Sequence, residues 1–428
     1  MIVTVTLGIL LSLLLLSIPV AAALIILGFS IGQIFSDFPL YRAIGEISWS
    51  ASTDFILLAI PLFVLLGEIL LRAGIAKRTY TALARWLAWL PGGLMHANIA
   101  TSAMFAATSG SSVATAATIT TVALPEAERY RYRESLFAGS IAAGGTLGIL
   151  IPPSINLIVY GFLTNTSIPQ LFMAGIVPGI ILTLLFMACI FAICLFKPEY
   201  GGVRQEATRA ERLSSLADLV PVLLIFAVVI GSIYTGIATP TESAALGVLF
   251  SLGLAWQNRA VSLDFIKQVL EGTMRTTAMI MLILVAANFL NFILDSIGLA
   301  EQLTEFVNNL GLSPFKTLMV IILLYIVLGF FVETLSLMVI TIPIVAPVMT
   351  GLGFDPVWFG VLIILLIEMA LITPPVGLNL YVVQGVRQRG SISDIMKGSM
   401  PFVGMIALMV LLLILFPDMA LVFSQYVD

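Results

Sequence analysis

Residues 144–154 read Gly144-Gly145-Thr146-Leu147-Gly148-Ile149-Leu150-Ile151-Pro152-Pro153-Ser154, and 222 positions later the Pro-Pro pair returns within Leu371-Ile372-Thr373-Pro374-Pro375-Val376-Gly377. Two successive prolines remove two backbone donors and clash with the preceding helical turn, so a helix that reaches either pair must unwind there. Both pairs follow long apolar runs, where a freed carbonyl has no water to turn to and needs another partner. A helix broken inside apolar surroundings, twice and at matching positions, reads as a duplicated membrane fold.

The match extends outward from the two breaks. Pro125 falls on Pro347 at the same shift; at shifts of 223 and 224, Gly74-Ile75-Ala76-Lys77 meets Gly298-Leu299-Ala300-Glu301 and Pro91 meets Pro314. Ser167-Ile168 likewise meets Ser391-Ile392, Gly175 meets Gly398, and Pro178 meets Pro401. Self-similarity at a fixed offset indicates repeated architecture. The chain divides into 1–49, one or more N-terminal membrane segments; 50–196, a first repeat; 197–272, a cytoplasmic connector with linking helices; and 273–424, a second repeat.

Composition names the solvent. Of 428 residues, 60% are hydrophobic and only 10% charged, with a mean hydropathy of +1.13, against about 25% charged in ordinary soluble domains. Runs long enough to cross a bilayer, about 20 helical residues, recur along the whole length. They are continuously apolar, as at 222–230 and 405–416, rather than alternating as in a barrel. The expected fold is all-α, a polytopic integral membrane protein. The start lacks a basic region, and apolar character continues past Ala21-Ala22-Ala23 to about Phe35, so a retained first segment is expected; Pro19 and Gly28 leave open whether it is one tilted span or two.

The net charge of −4 carries little, because in a membrane protein the position of charge matters more than its sum. Cys189 and Cys194 lie five apart with no histidine nearby, which favours packing over metal binding. His96, beside Pro91-Gly92-Gly93, reads as a boundary residue. No cluster of carboxylates or histidines suggests a reaction centre. The chain is expected to be no enzyme, to carry no cofactor or transition metal, and to bind no nucleic acid; its surroundings are the lipid bilayer.

Basic residues orient the halves, since short loops rich in Lys and Arg stay cytoplasmic. In the first half Arg72, Lys77, Arg78 and Arg85, and then Arg129, Arg131 and Arg133, predict cytoplasmic segments. Their counterparts at 296–312 and 350–358 hold no Lys or Arg but do hold Glu301, Glu305 and Asp355, and are predicted extracytoplasmic, with Lys316 just beyond. The uncharged 164–170 stretch pairs with a basic one around Arg387, Arg389 and Lys397. The connector, with Lys197, Arg204, Arg209 and Arg212, is expected in the cytoplasm, and 235–242 in an outer turn. The repeats are therefore expected to be of inverted topology, the arrangement through which secondary transporters alternate access to a midplane site. Tyr80, Leu83, Leu87 and Leu90 share one helical face, as do Leu299, Leu303, Phe306 and Leu310, so each half is expected to carry a helix along the membrane surface, with an ordinary loop helix as the competing reading.

Interrupted apolar segments at corresponding positions point to a transporter's binding site. One pair is the Pro-Pro segments. The other is Thr108-Ser109-Gly110-Ser111-Ser112, aligned with Phe330-Phe331-Val332-Glu333-Thr334, each flanked by short apolar stretches; these predict re-entrant helical hairpins. Unwound carbonyls and hydroxyls suit a hard cation, sodium, without burying formal negative charge, and glycines let the backbone approach. The expected sodium-site residues are Gly110, Ser111, Ser112, Gly144, Thr146, Gly148, Pro152, Glu333, Thr334, Thr373, Pro374 and Gly377. Helix N-termini at the tips favour an anionic substrate. For any one Ser or Gly, close helix packing is the competing reading. Among intramembrane acids Glu333 is the foremost functional candidate, ahead of Glu368 and Glu242; Glu68 and Arg72 read as a local ion pair.

Through Gly110-Ser111-Ser112, Gly148-Ile149-Leu150-Ile151-Pro152-Pro153-Ser154, Thr239-Pro240-Thr241-Glu242 and Ile372-Thr373-Pro374-Pro375-Val376-Gly377-Leu378-Asn379, the sequence resembles the large membrane subunit of tripartite ATP-independent periplasmic (TRAP) transporters over essentially its whole length. The resemblance implies a small four-helix membrane subunit and a periplasmic substrate-binding protein as partners. It implies uptake of a small organic acid across a bacterial inner membrane, driven by sodium through an elevator movement. It sets Ser109, Ser154, Glu333 and Asn379 on the substrate side, although the family often carries Asp where this chain has Glu333. Sialic acids, C4-dicarboxylates, other organic acids and zwitterionic solutes all remain open as substrates. A stand-alone sodium-coupled symporter is the nearest alternative.

Overall fold

The computed structural model describes residues 2–16, 18–203, 207–299, 302, 305 and 311–424, without the side chains of 2–4, 7, 11, 14–15 and 107–109. The described residues form helices and no strands. The first apolar stretch is two helices, α1 (Ile2–Leu15) and α2 (Val20–Phe35), parted at Pro19. Then come α3 (Ile44–Thr53), α4 (Ala59–Arg72) and α5 (Ile75–Leu87). At Gly74, whose φ of +71° costs glycine little, the chain turns 66° between α4 and α5. Along α5, Tyr80 is buried, while Lys77 and Arg78 remain exposed; Arg78 Nη1 donates to Asn258 Oδ1 (2.7 Å) and Trp86 Nε1 to the Arg212 carbonyl (3.0 Å). Of the matching face in the second half, Leu303, Phe306 and Leu310 lie outside the described residues.

The stretch expected to be the first repeat continues with α6 (Gly93–Ser109), α7 (Ser112–Arg129), α8 (Glu134–Leu150), α9 (Ile155–Thr164) and α10 (Ile168–Phe196). The connector leads through α11 (Arg209–Ser215), α12 (Val220–Tyr234) and α13 (Pro240–Gln257) to the long α14 (Leu263–Ser296). In the stretch expected to be the second repeat, α15 (Pro314–Gly329), α16 (Thr334–Gly351), α17 (Pro356–Leu371), α18 (Leu378–Arg387) and α19 (Ile392–Leu415) follow in the order of α6–α10. Among the described residues six helices are long and apolar enough to cross a bilayer, or seven when α4 and α5 count as one bent span. Side-chain caps start several helices: Thr239 and Glu242 form a reciprocal box on α13, and Asp355 accepts from Val357 N (2.8 Å) and Trp358 N (2.9 Å) on α17.

Hydrogen bonds show which ends lie together. Leu94 N donates to the Tyr132 hydroxyl (3.0 Å), so the start of α6 meets the end of α7 and the pair is a hairpin. Burial pushes the Tyr132 phenol up to about 12, which keeps it a neutral hydroxyl. Tyr325 and Thr341 meet at 2.5 Å across α15 and α16, pairing those helices in the same way. Val203 N donates to the Tyr130 carbonyl (2.7 Å), Arg387 Nε to Glu134 (2.8 Å), and Arg389 pairs with Glu128. The segments near 130, 200 and 388, each expected to be cytoplasmic, thus gather at one end. At the other end Tyr160 donates to the Pro356 carbonyl (2.7 Å), joining two segments expected outside. Hence α8–α9 and α17–α18 run in opposite directions. Phe186 of α10 and Phe402 of α19 pack edge to face at 5.5 Å between their centroids.

Candidate functional site at the meeting of the hairpin tips and broken helices

The first tip turns at Gly110, with φ +58°, and Ser111 caps α7 by accepting from Ala114 N (3.4 Å). This tip rests on the first broken helix. A Cβ on Gly148 would come 2.9 Å from the Ser111 carbonyl, and one on Gly110 3.1 Å from the Pro153 carbonyl, so glycine is what lets the two backbones touch. Ser112 Oγ donates to the Thr146 carbonyl at 3.4 Å, and Thr146 Oγ1 donates to the Ala143 carbonyl (2.8 Å). Gly144 abuts Ser102, where a Cβ would sit 2.6 Å from Oγ. The Leu150 carbonyl, released at the break before Pro152, faces the close-packed Gly175 of α10. Gly110, Ser111, Ser112, Thr146 and Gly148 therefore share one junction, while Gly144 packs against α6 and Pro152 lies near Gly175 of α10.

At the second tip Glu333 is the N-cap of α16. Its carboxylate accepts from Leu335 N (3.1 Å), Ser336 N (3.0 Å), the Ser336 hydroxyl (3.0 Å) and the Thr334 hydroxyl (2.9 Å). These amides are already satisfied and the tip carries a negative charge, so it suits a cation better than a substrate carboxylate. At the second break Thr373 Oγ1 donates to the Met369 carbonyl (2.5 Å), and the Ile372 carbonyl receives Ser399 Oγ (3.1 Å). Gly377, with φ +52°, opens α18 just after Pro374 and Pro375.

A cavity of about 580 Å³ lies where both tips meet the rest of the fold. Gly110, Ser111, Ser112, Glu333, Thr334 and Ser336 line one side, with Ile155 and Asn156 from the start of α9. The start of α2, Gly67 and Glu68 of α4, and Thr276 and Ile280 of α14 form the other. No Lys or Arg is among these lining residues. Glu68 is paired with Arg72 (3.0 Å), which also donates to Gln268 (2.8 Å); the expected ion pair is there, and its acid doubles as cavity wall.

Ser154 and Asn379, both assigned to the substrate side, are not among the residues lining this cavity. Ser154 is fully buried, donating to the Ile149 carbonyl (2.5 Å) and accepting from Leu157 N (3.3 Å), as a cap on α9. Asn379 is fully buried and donates across to the Ala142 carbonyl (3.1 Å), tying α18 to α8. The side chain of Ser109 lies outside the described residues. Asn156, by contrast, reaches the cavity: it is 3% exposed and its Nδ2 has no hydrogen-bond partner among the described residues. Its sequence signal was its place: Asn156 and Asn379 follow the two Pro-Pro pairs at a shift of 223. Glu368, fully buried in α17, stands 222 residues after Thr146, and neither carboxylate oxygen has a partner among the described residues. Glu242 belongs to its capping box, and His96 is buried with Nε2 against the Pro91 carbonyl (2.9 Å).

Broken helices that run in opposite directions, hairpins whose tips adjoin them, and a mainly apolar cavity carrying a few polar groups at their meeting point are the arrangement expected of a membrane transporter. The family described as "Tripartite ATP-independent periplasmic transporter, DctM component" matches residues 7–419. The chain belongs to this family of TRAP large membrane subunits, and is a multi-pass protein of the bacterial inner membrane. It is 34% identical over 385 residues to the C4-dicarboxylate TRAP transporter large permease protein of Vibrio cholerae, covering 84% of each chain. It is 33% identical over 376 residues to the sialic acid TRAP large permease of the same organism, covering 87% of each. Among solved structures, the YdaH transporter of Alcanivorax borkumensis shares the fold with a TM-score of 0.62 at 15% identity, over 94% of this chain and 98% of that one.

Proposed function

We propose that the chain is the translocation subunit of a sodium-driven, binding-protein-dependent importer of a small organic acid. The observation that carries this reading is the cavity itself, where both hairpin tips meet beside an unpaired amide donor and no basic side chain. Without Lys or Arg, a substrate carboxylate needs another positive partner. A bound sodium ion, held by hydroxyls and carbonyls around Ser112 and Thr146 and by the acidic tip at Glu333, supplies it. The Asn156 amide and the α7 N-terminus then orient the anion. Relatives named for C4-dicarboxylates, sialic acid and isethionate agree with an organic acid as cargo. A periplasmic binding protein and a small membrane subunit are the partners this reading requires.

In the same reading α6–α10 and α15–α19 move as a transport unit past a scaffold of α2–α4 and α12–α14, and the opposite course of the broken helices lets each half serve one side of the membrane. The test is uptake into liposomes holding this chain with its small membrane partner, with substrate-loaded binding protein outside. Uptake should stop when the sodium gradient is collapsed and when the binding protein is omitted. Transport that continues under the first condition sinks the sodium coupling; transport that continues under the second sinks the tripartite reading.

A further inference from the structure

At the end where the basic loops gather, a second crevice of about 760 Å³ opens between the start of α8, the end of α10 and the first turns of α19. Its charged lining is Arg133, Glu134, Lys197, Arg387, Asp394 and Lys397, two more cations than anions. The anions are already engaged. Glu134 accepts from Arg387 (2.8 Å) and Arg389 (3.1 Å), and Asp394 lies 3.9 Å from the buried Arg387. Arg133, Lys197 and Lys397 make no ion pair among the described residues. The guanidinium of Arg133 and the ammonium of Lys197 both stand over the Tyr200 ring, at 5.6 and 5.7 Å from its centroid, so one aromatic holds two cations at the mouth of the crevice.

The remaining wall is apolar: Ala192, Ile193 and Phe196, from the last turns of α10. Phe196 is 84% exposed, and Ile180, Leu184 and Leu195 continue an exposed apolar face along the same helix. Three uncompensated cations at the end of a lipid-facing helix, above an apolar strip that runs into the hydrocarbon, match one chemistry. A phosphate sits among the cations and acyl chains lie along the strip.

We propose that this crevice is a binding site for an anionic phospholipid of the inner leaflet, its phosphate held by Arg133, Lys197 and Lys397 and its chains lying on the exposed face of α10. The lipid phosphate would bridge the connector at Lys197 to α8 and α19, three segments brought together by the fold rather than by sequence. The site lies at the basic end of the molecule, away from the cavity at the hairpin tips, and its occupancy does not depend on which substrate or ion the protein carries.

Native mass spectrometry of the full chain in mild detergent, titrated with phosphatidylglycerol or phosphatidylcholine, tests the proposal. The wild type should retain phosphatidylglycerol in preference. Lys197→Gln and Lys397→Gln should each weaken that retention about fivefold, and the double variant about twentyfold, while Lys77→Gln, an exposed lysine on α5, leaves it unchanged. Comparison of wild-type retention of the two lipids does not depend on any variant's folding. Equal retention of both lipids overturns the proposal. So does displacement of phosphatidylglycerol by millimolar inorganic phosphate, which would make the crevice a site for free phosphate. Losses as large in Lys77→Gln as in the crevice variants would reduce the effect to net charge and overturn it equally.

Discussion

Asn156 separates the two readings that any polar residue in a membrane fold invites. A buried amide that only packed would be hydrogen-bonded, because an unmet donor costs about 1–3 kcal/mol. Its Nδ2 is unmet among the described residues and Asn156 lines the cavity, so under the proposed function the substrate is its partner. Asn156→Ala should raise the KM for uptake about tenfold with kcat and expression little changed, the loss expected of a hydrogen bond to a charged group. An unchanged KM would remove the residue from the site. Glu333 combines the two, capping α16 while lining the cavity. Its four hydrogen bonds to the first turn of α16 account for an acid at that position, and sequence periodicity could not tell a capping acid from a ligand because both stand just before a helix.

Elements meet through glycine. Gly139 of α8 and Gly398 of α19 lie backbone against backbone, and a methyl on Gly398 would run into the Ser135 carbonyl. Gly398→Ala should therefore destabilise the protein by about 1–3 kcal/mol, as overpacking does, and lower its Tm in detergent. A methyl at Gly404, six residues on, meets nothing within 4 Å, so Gly404→Ala should be nearly silent. Equal thermal stability of the two variants would contradict this packing. The sequence showed Gly398 aligned with Gly175 but not what either one touched. The hairpins and broken helices, by contrast, were legible as elements: proline pairs and short apolar runs act locally on the backbone, whatever packs around them.

At the scale of the whole molecule, the proposed elevator requires the hairpins to slide past α14. Ile280, Ile283 and Leu284 of α14 share a small apolar contact with Leu335 and Val339 of α16, across that boundary. Cysteines replacing Ile283 and Val339, in a chain with Cys189 and Cys194 changed to alanine, should stop uptake when cross-linked and restore it on reduction. Full transport by the cross-linked protein would rule out relative movement at this boundary. The three basic segments share one end: each is expected to stay in the cytoplasm by its own charge, and the fold ties them through Arg387, Glu134, Arg389 and Glu128 and through Val203 N on the Tyr130 carbonyl.

The Pro-Pro repeat that first marked the fold determined the positions of the breaks, the apolar runs around it a polytopic all-α architecture, and the basic residues the expectation that the halves take opposed courses. Each follows from local backbone chemistry or from charge that the bilayer sorts. Only the tertiary structure decided which polar groups face the cavity. It gave Ser154 and Asn379 hydrogen bonds within the packed helices and brought Asn156 and Glu68 to the cavity wall. Which way a side chain points across a helix junction depends on partners more than 200 residues away, as Asn379 and Ala142 show, and no local pattern records that distance.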